Sequence, residues 1–129
     1  MQKGVIKLAL TGLVVLTSLA WNGVVAKEMA RPSVNATVTV DQLPVQGRET
    51  YQRIQQGGPF PYEKDGMVFG NRERLLPPEK RGYYREYTVK TPRSRDRGAR
   101  RIVCGGPATT PEACYYTADH YASFRKIVP

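Results

Sequence analysis

Apolar residues are distributed along this chain in three distinct patterns. The first is a mostly apolar run from Leu8 to Trp21, preceded by Lys3 and Lys7 and followed by Val24-Val25-Ala26. A positive start, an apolar middle and small residues at its end read as a secretory signal peptide over 1–26. The run is shorter than the ~18 apolar residues of a membrane span, which makes an uncleaved anchor the weaker alternative. Residues 27–37 are polar and aperiodic and read as a flexible lead-in, and 38–129 read as one domain. Helical spacing comes second. Tyr51 and Ile54 fall on one face, with Leu43 or Val45 placed to pack against them, and Gly57-Gly58 follows where a helix ends. This predicts a helix of ten residues over 47–56. The third pattern alternates, and it predicts strands at Tyr84–Lys90, Ala99–Cys104, Tyr115–Thr117 and Ala122–Val128. Thr37–Val40 reads as a short strand or as the start of the domain. Short connections imply antiparallel pairing, so the expected architecture is α+β, one main N-terminal helix on a twisted antiparallel sheet.

Strand alternation also assigns faces. Tyr84, Glu86 and Thr88 share one side of their strand, and Tyr87 and Val89 share the other. In the next strand Arg101 and Val103 oppose Arg100 and Ile102. If Tyr87, Val89 and Ile102 pack under the helix, Glu86 and Arg101 stand on the opposite face, which should be open, polar and cationic.

Composition narrows the partners. The chain has 20 basic and 11 acidic residues and a net charge of +9. Removing 26 of its 129 residues takes Lys3 and Lys7 away and leaves 103 residues with a net charge of +7. That is a single domain with room for one core. A secreted domain this basic should attract a polyanion, and arginine supplies 13 of its 18 remaining basic residues. Arginine binds phosphate bidentately, which favours phosphate recognition over general cationic adhesion. In an oxidising compartment Cys104 and Cys114 should form a disulfide across the turn-rich segment 105–113. Their spacing fits no metal motif, and one histidine cannot complete a ligand set.

Few residues offer chemistry. Glu86 is a carboxylate within an aromatic strand, near the arginine-dense Arg97-Gly98-Ala99-Arg100-Arg101. His120, the single histidine, is the one side chain here whose ordinary titration lies near neutrality. In Phe69-Gly70-Asn71-Arg72-Glu73 an aromatic or guanidinium plane is set to stack on a base. Glu73 can accept from adjacent N–H donors, which guanine presents on its edge and adenine does not.

These segments occur in order with Gly58-Pro59-Phe60-Pro61-Tyr62, Asp65-Gly66, Gly82-Tyr83-Tyr84-Arg85-Glu86-Tyr87-Thr88-Val89, Thr91-Pro92 and Asp119-His120-Tyr121. Over 38–128 the chain resembles the guanyl-specific microbial ribonucleases, the barnase family, most closely its small actinobacterial members. The resemblance implies the microbial ribonuclease fold and a metal-independent, cofactor-free endoribonuclease acting on single-stranded RNA. It implies Glu86 as general base, His120 as general acid, and Arg97 and Arg101 as stabilisers of phosphoryl charge. It places Phe69, Gly70, Asn71, Arg72 and Glu73 around guanine and Tyr121 at the phosphate and base site. A secreted monomer, free of the membrane after cleavage and matched by a barstar-like intracellular inhibitor, completes the expectation. The pattern departs from the family in the local Cys104–Cys114 pair and in a connecting loop about three residues longer, placed to shift the substrate rim. The segment 27–37 has no counterpart in these motifs, and Gly70 stands where the family's side chain varies. The alternative is a non-catalytic polyanion-binding module on the same fold. The presence of Glu86, Arg101 and His120 together argues against it, because phosphate binding gains nothing from an added carboxylate.

Overall fold

Pro44 opens the helix. It lacks an N–H and its backbone is preset, so its carbonyl accepts from Gly47 and Arg48 at 2.8 and 3.0 Å and the chain winds from there. The helix, α1, therefore runs Val45–Gln56, two residues longer at its start than the apolar spacing suggests. It stops at Gly57, which is left-handed (φ 79°), and Gly58 N–H returns to the Arg53 carbonyl at 2.9 Å. These coordinates come from a computed structural model that describes residue 4 and residues 34–129. The signal-peptide assignment and most of the lead-in fall outside the described residues, Gly4 apart.

Six strands follow one another as β1 (Thr37–Thr39), β2 (Met67–Val68), β3 (Tyr84–Thr88), β4 (Arg101–Gly105), β5 (Ala113–Thr117) and β6 (Arg125–Val128). They form one sheet in the order β1-β6-β5-β4-β3-β2. Every neighbouring pair is antiparallel except β1–β6. The two end strands of the domain meet without a hairpin to dictate their direction, and this parallel edge makes the sheet mixed. β2 has only two residues, too few to alternate, and so left no trace in the hydropathy pattern. No helix among the described residues is long and apolar enough to cross a membrane.

As expected, Tyr87, Val89 and Ile102 pack with Ile54 of α1, and Cys104 and Cys114 join them. The two cysteines face each other across β4 and β5 and form the disulfide, with Cα atoms 4.1 Å apart. The opposite face is not open along its length. Leu76 and Phe124 cover Tyr84, Val103 and Tyr115 and make a second core. Leu76 lies outside the predicted strands, and Phe124, counted within the predicted strand Ala122–Val128, lies just before β6, which begins at Arg125. The open part of this face narrows to the surroundings of Glu86.

Candidate active site

Glu86 lies at the centre of β3, opposite Met67 on one side and Val103 on the other. Its side chain is 15 % exposed. One carboxylate oxygen, Oε2, accepts from the Tyr121 hydroxyl at 2.6 Å, and Oε1 lies 3.5 Å from Nη2 of Arg97. Arg97 is not free to swing. Its Nε and Nη2 both donate to the Thr88 hydroxyl, at 3.0 and 2.8 Å. Thr88, two residues along β3 from Glu86 on the same face, is 3 % exposed. Asp65 accepts from its N–H at 2.7 Å, and Thr50 of α1 donates to its carbonyl at 3.0 Å. The helix, the Asp65 turn and β3 together therefore place one hydroxyl, and that hydroxyl places the arginine. The loop below needs glycine at 98, where φ is +62° and a Cβ would collide with the Thr91 side chain.

Arg101 is 3 % exposed. Its Nη1 donates to the carbonyls of Arg97, Gly98 and Arg100 at 3.3, 2.9 and 2.8 Å, so it secures the loop that carries Arg97. Its Nε is buried without a protein partner. Leaving such a donor unmet costs on the order of 1–3 kcal/mol.

His120 is exposed on the loop after β5. Its N–H donates to the Ala99 carbonyl at 3.0 Å, which ties this loop to the arginine segment. His120 and Tyr121 both have left-handed backbones, with φ 54° and 72°. Non-glycine residues resist that geometry, and Asp119 sustains it. Its Oδ1 accepts from the Thr117 hydroxyl at 2.9 Å and the Ser123 N–H at 2.9 Å, and its Oδ2 from the Ser123 hydroxyl at 2.6 Å. Those bonds, the Ser123 hydroxyl foremost, hold the Asp119 carboxyl below the usual carboxylate range. Burial and then donation to Glu86 push the Tyr121 phenol up to about 12, so it remains a proton donor at neutral pH.

Phe69 to Glu73 form a strap beside this group. Phe69 N–H donates to the Tyr84 carbonyl at 2.9 Å, and its ring lies 5.0 Å from that of Tyr121. The Asn71 side chain spans the strap's own turn, donating to the Leu76 carbonyl at 2.9 Å and accepting from the Leu76 N–H at 3.1 Å. Asn71 therefore shapes the strap with its side chain, and only its backbone is left for a ligand.

Glu86, His120, Tyr121 and the whole of Phe69–Glu73 line one cleft of about 690 Å³. Val68, Leu75, Ala122 and Phe124 complete it. Arg97 joins through Glu86, and Arg101 lies buried behind the loop that bears Arg97. The sequence reading missed Thr88 and Asp119 as supports, although alternation had already set Thr88 beside Glu86. It also placed the Cys104–Cys114 connection near the substrate rim. No residue from 105 to 113 lines the cleft; Thr109 instead sits against Gly57 at the end of α1. The described residues contain no cluster of three metal-ligating side chains.

One helix on a curled sheet, with a carboxylate, guanidinium groups and an imidazole around a cleft beside an aromatic strap, defines a phosphodiester-processing class of protein. A family model described as ribonuclease matches residues 26–128, which takes in the segment 27–37 that the motifs left unmatched. Guanyl-specific ribonuclease Sa3 of Kitasatospora aureofaciens is 56% identical over 90 residues, covering 70% of this chain and 62% of that protein, less than two thirds of its length. Guanyl-specific ribonuclease St of Saccharopolyspora erythraea is 52% identical over 91 residues, covering 70% of this chain and 86% of that protein. A solved structure of ribonuclease Sa2 in complex with mononucleotides superposes with a TM-score of 0.70 at 47% identity, covering 76% of this chain and 97% of the other. The chain belongs to the ribonuclease family, among its guanyl-specific microbial members.

Proposed function

We propose that this protein is a guanyl-preferring endoribonuclease that cleaves single-stranded RNA on the 3′ side of guanosine. The observation that carries the reading is the meeting of Glu86, His120 and the Phe69–Glu73 strap in one cleft, in a chain of this family. Two structures of one relative support the chemistry: ribonuclease Sa2 has been solved with guanosine-2′-cyclophosphate and with 3′-GMP.

In the first step Glu86 takes the proton of the ribose 2′-hydroxyl. The 2′-oxygen attacks the adjacent phosphorus in line, the bond to the departing 5′-oxygen breaks, and His120 gives that oxygen a proton. The product is a 2′,3′-cyclic phosphate. Water then opens it to the 3′-phosphate with the two roles reversed. Arg97 and the unmet Nε donor of Arg101 supply positive charge and hydrogen bonding to the phosphoryl oxygens. The arginines do the charge neutralisation, so the scheme uses no metal or cofactor. Tyr121, held protonated, releases Glu86 to the 2′-hydroxyl when substrate enters and turns its own hydroxyl to the phosphate. Phe69 stacks on the guanine, the strap backbone from Gly70 to Arg72 surrounds it, and Glu73 accepts from its edge.

An oligoribonucleotide with a single guanosine tests this reading. Cleavage should fall predominantly after that guanosine, and Glu86→Gln or His120→Ala should slow it at least about 100-fold. Equal cutting at other bases, or undiminished cutting by both variants, would overturn it.

The leader at 1–26 supports export, and the basic surface suits an acidic intracellular inhibitor of the barstar type acting on the monomer. Trp21 is the single tryptophan, so a secreted form cut after Ala26 should show no tryptophan emission. Emission from the secreted form would refute that cut.

A further inference from the structure

The strap has a second side. Behind Val68–Arg72 lies another cleft of about 560 Å³, and the same five residues wall both. Glu79, Lys80, Arg81 and Tyr84 complete it, whereas Glu86, His120 and Tyr121 border only the first. Its apolar part is Val68, Phe69 and Tyr84, and the Tyr84 hydroxyl is already committed to the Pro77 carbonyl at 2.6 Å. Its charged part is Arg72, Lys80 and Arg81 against Glu79, an excess of cations at an exposed rim. An apolar floor with a cationic rim, at a volume within the usual range for ligand sites, fits a nucleotide better than a free anion.

Gly70 belongs to the segment that walls both clefts. A Cβ there would meet only the Arg72 side chain, at 3.6 and 3.9 Å, and the backbone is not left-handed. Nothing in the fold demands glycine at this position. Its effect is a missing side chain in the segment shared by the two clefts.

We propose that the second cleft is a subsite for the nucleotide on the 5′ side of the guanosine, with its phosphodiester seated by Lys80 and Arg81. The assignment of direction rests on the ribonuclease reading above. The nucleotide on the 3′ side is the leaving group and must lie by the acid that protonates it. His120 borders only the first cleft, so the second takes the other end of the strand.

Binding of uncleavable substrates tests this separately from catalysis. Replacing the guanosine by 2′-deoxyguanosine removes the nucleophile and leaves the contacts. The 5′-extended trinucleotide ApdGpU should bind about fivefold more tightly than dGpU. Lys80→Ala combined with Arg81→Ala should abolish that advantage while leaving dGpU affinity and the far-ultraviolet circular dichroism unchanged. The 3′-extended dGpUpA should bind the parent and the double variant alike. An absent 5′ advantage in the parent, an equal loss on dGpU, or a loss confined to the 3′ extension would each overturn the subsite. If GpU itself is not cleaved while the 5′ advantage persists and depends on Lys80 and Arg81, the ribonuclease reading fails and the subsite stands.

Discussion

Thr88 shows how much of the proposed catalytic group rests on a residue with no chemistry of its own. Its hydroxyl receives both Nε and Nη2 of Arg97, and its backbone is pinned by Asp65 and Thr50. Thr88→Val keeps the shape and β-branching but removes the acceptor. It should lower kcat about ten- to a hundredfold with KM little changed, and Thr88→Ser should recover most of the loss. Equal activity of the valine and serine variants would show that Arg97 is positioned by something else. Glu86 and His120 were legible from the sequence because a carboxylate in an aromatic strand and a single histidine are conspicuous. Thr88 was not, since a threonine in a strand fits β-propensity and needs no further reason. The resemblance sets Asn71 beside the guanine largely through its backbone; that its side chain turns inward to Leu76 is not legible, because residue type does not reveal which way a polar group faces.

The hairpin β4–β5 carries the disulfide. Its cysteines face each other in register, and its loop lies away from the cleft. Replacing both with alanine should lower unfolding free energy by about 2.5–3 kcal/mol, as expected for closing a loop of this length. Activity on a guanylyl dinucleotide at low temperature should stay within about twofold of the parent, because no residue of the loop lines the cleft. A large loss of kcat in the folded variant would mean that the hairpin reaches the site through β4. Period-two alternation predicted which side chains of β3 and β4 lie beneath α1. It did not reveal the second core, because Leu76 belongs to a loop and Phe124 precedes the short β6. The two-residue β2 and the parallel β1–β6 edge were equally out of reach, since neither pairing direction nor a strand so short is written in local spacing.

At the scale of the molecule, the two cores leave a distinctive alkaline limit. Burial raises the phenols of Tyr84, Tyr87, Tyr115, Tyr116 and Tyr121, and a hydrogen bond to Glu112 does most to raise that of Tyr83. A phenol raised in the folded state contributes stability that is intact below its ordinary value of 10.0 and is lost as pH climbs toward the folded value, about 12 for Tyr83 and Tyr121. Thermal melting should therefore be insensitive to these groups at neutral pH and fall steeply from about pH 10 upward. Unchanged melting between pH 9 and about pH 11.5 would contradict the raised phenols. The same basic molecule, with net charge +9 over the full chain, should bind RNA less tightly as salt rises. The proposed activity is narrower than charge: guanine recognition and 2′-oxygen attack in one cleft. Phosphorus NMR of guanylyl-uridine and adenylyl-uridine incubated with the protein tests it most directly. The guanylyl dinucleotide should pass through a 2′,3′-cyclic phosphate to the 3′-phosphate, at least about 100-fold faster than the adenylyl one. Equal rates for the two, or a 3′-phosphate formed with no cyclic intermediate, would contradict the account.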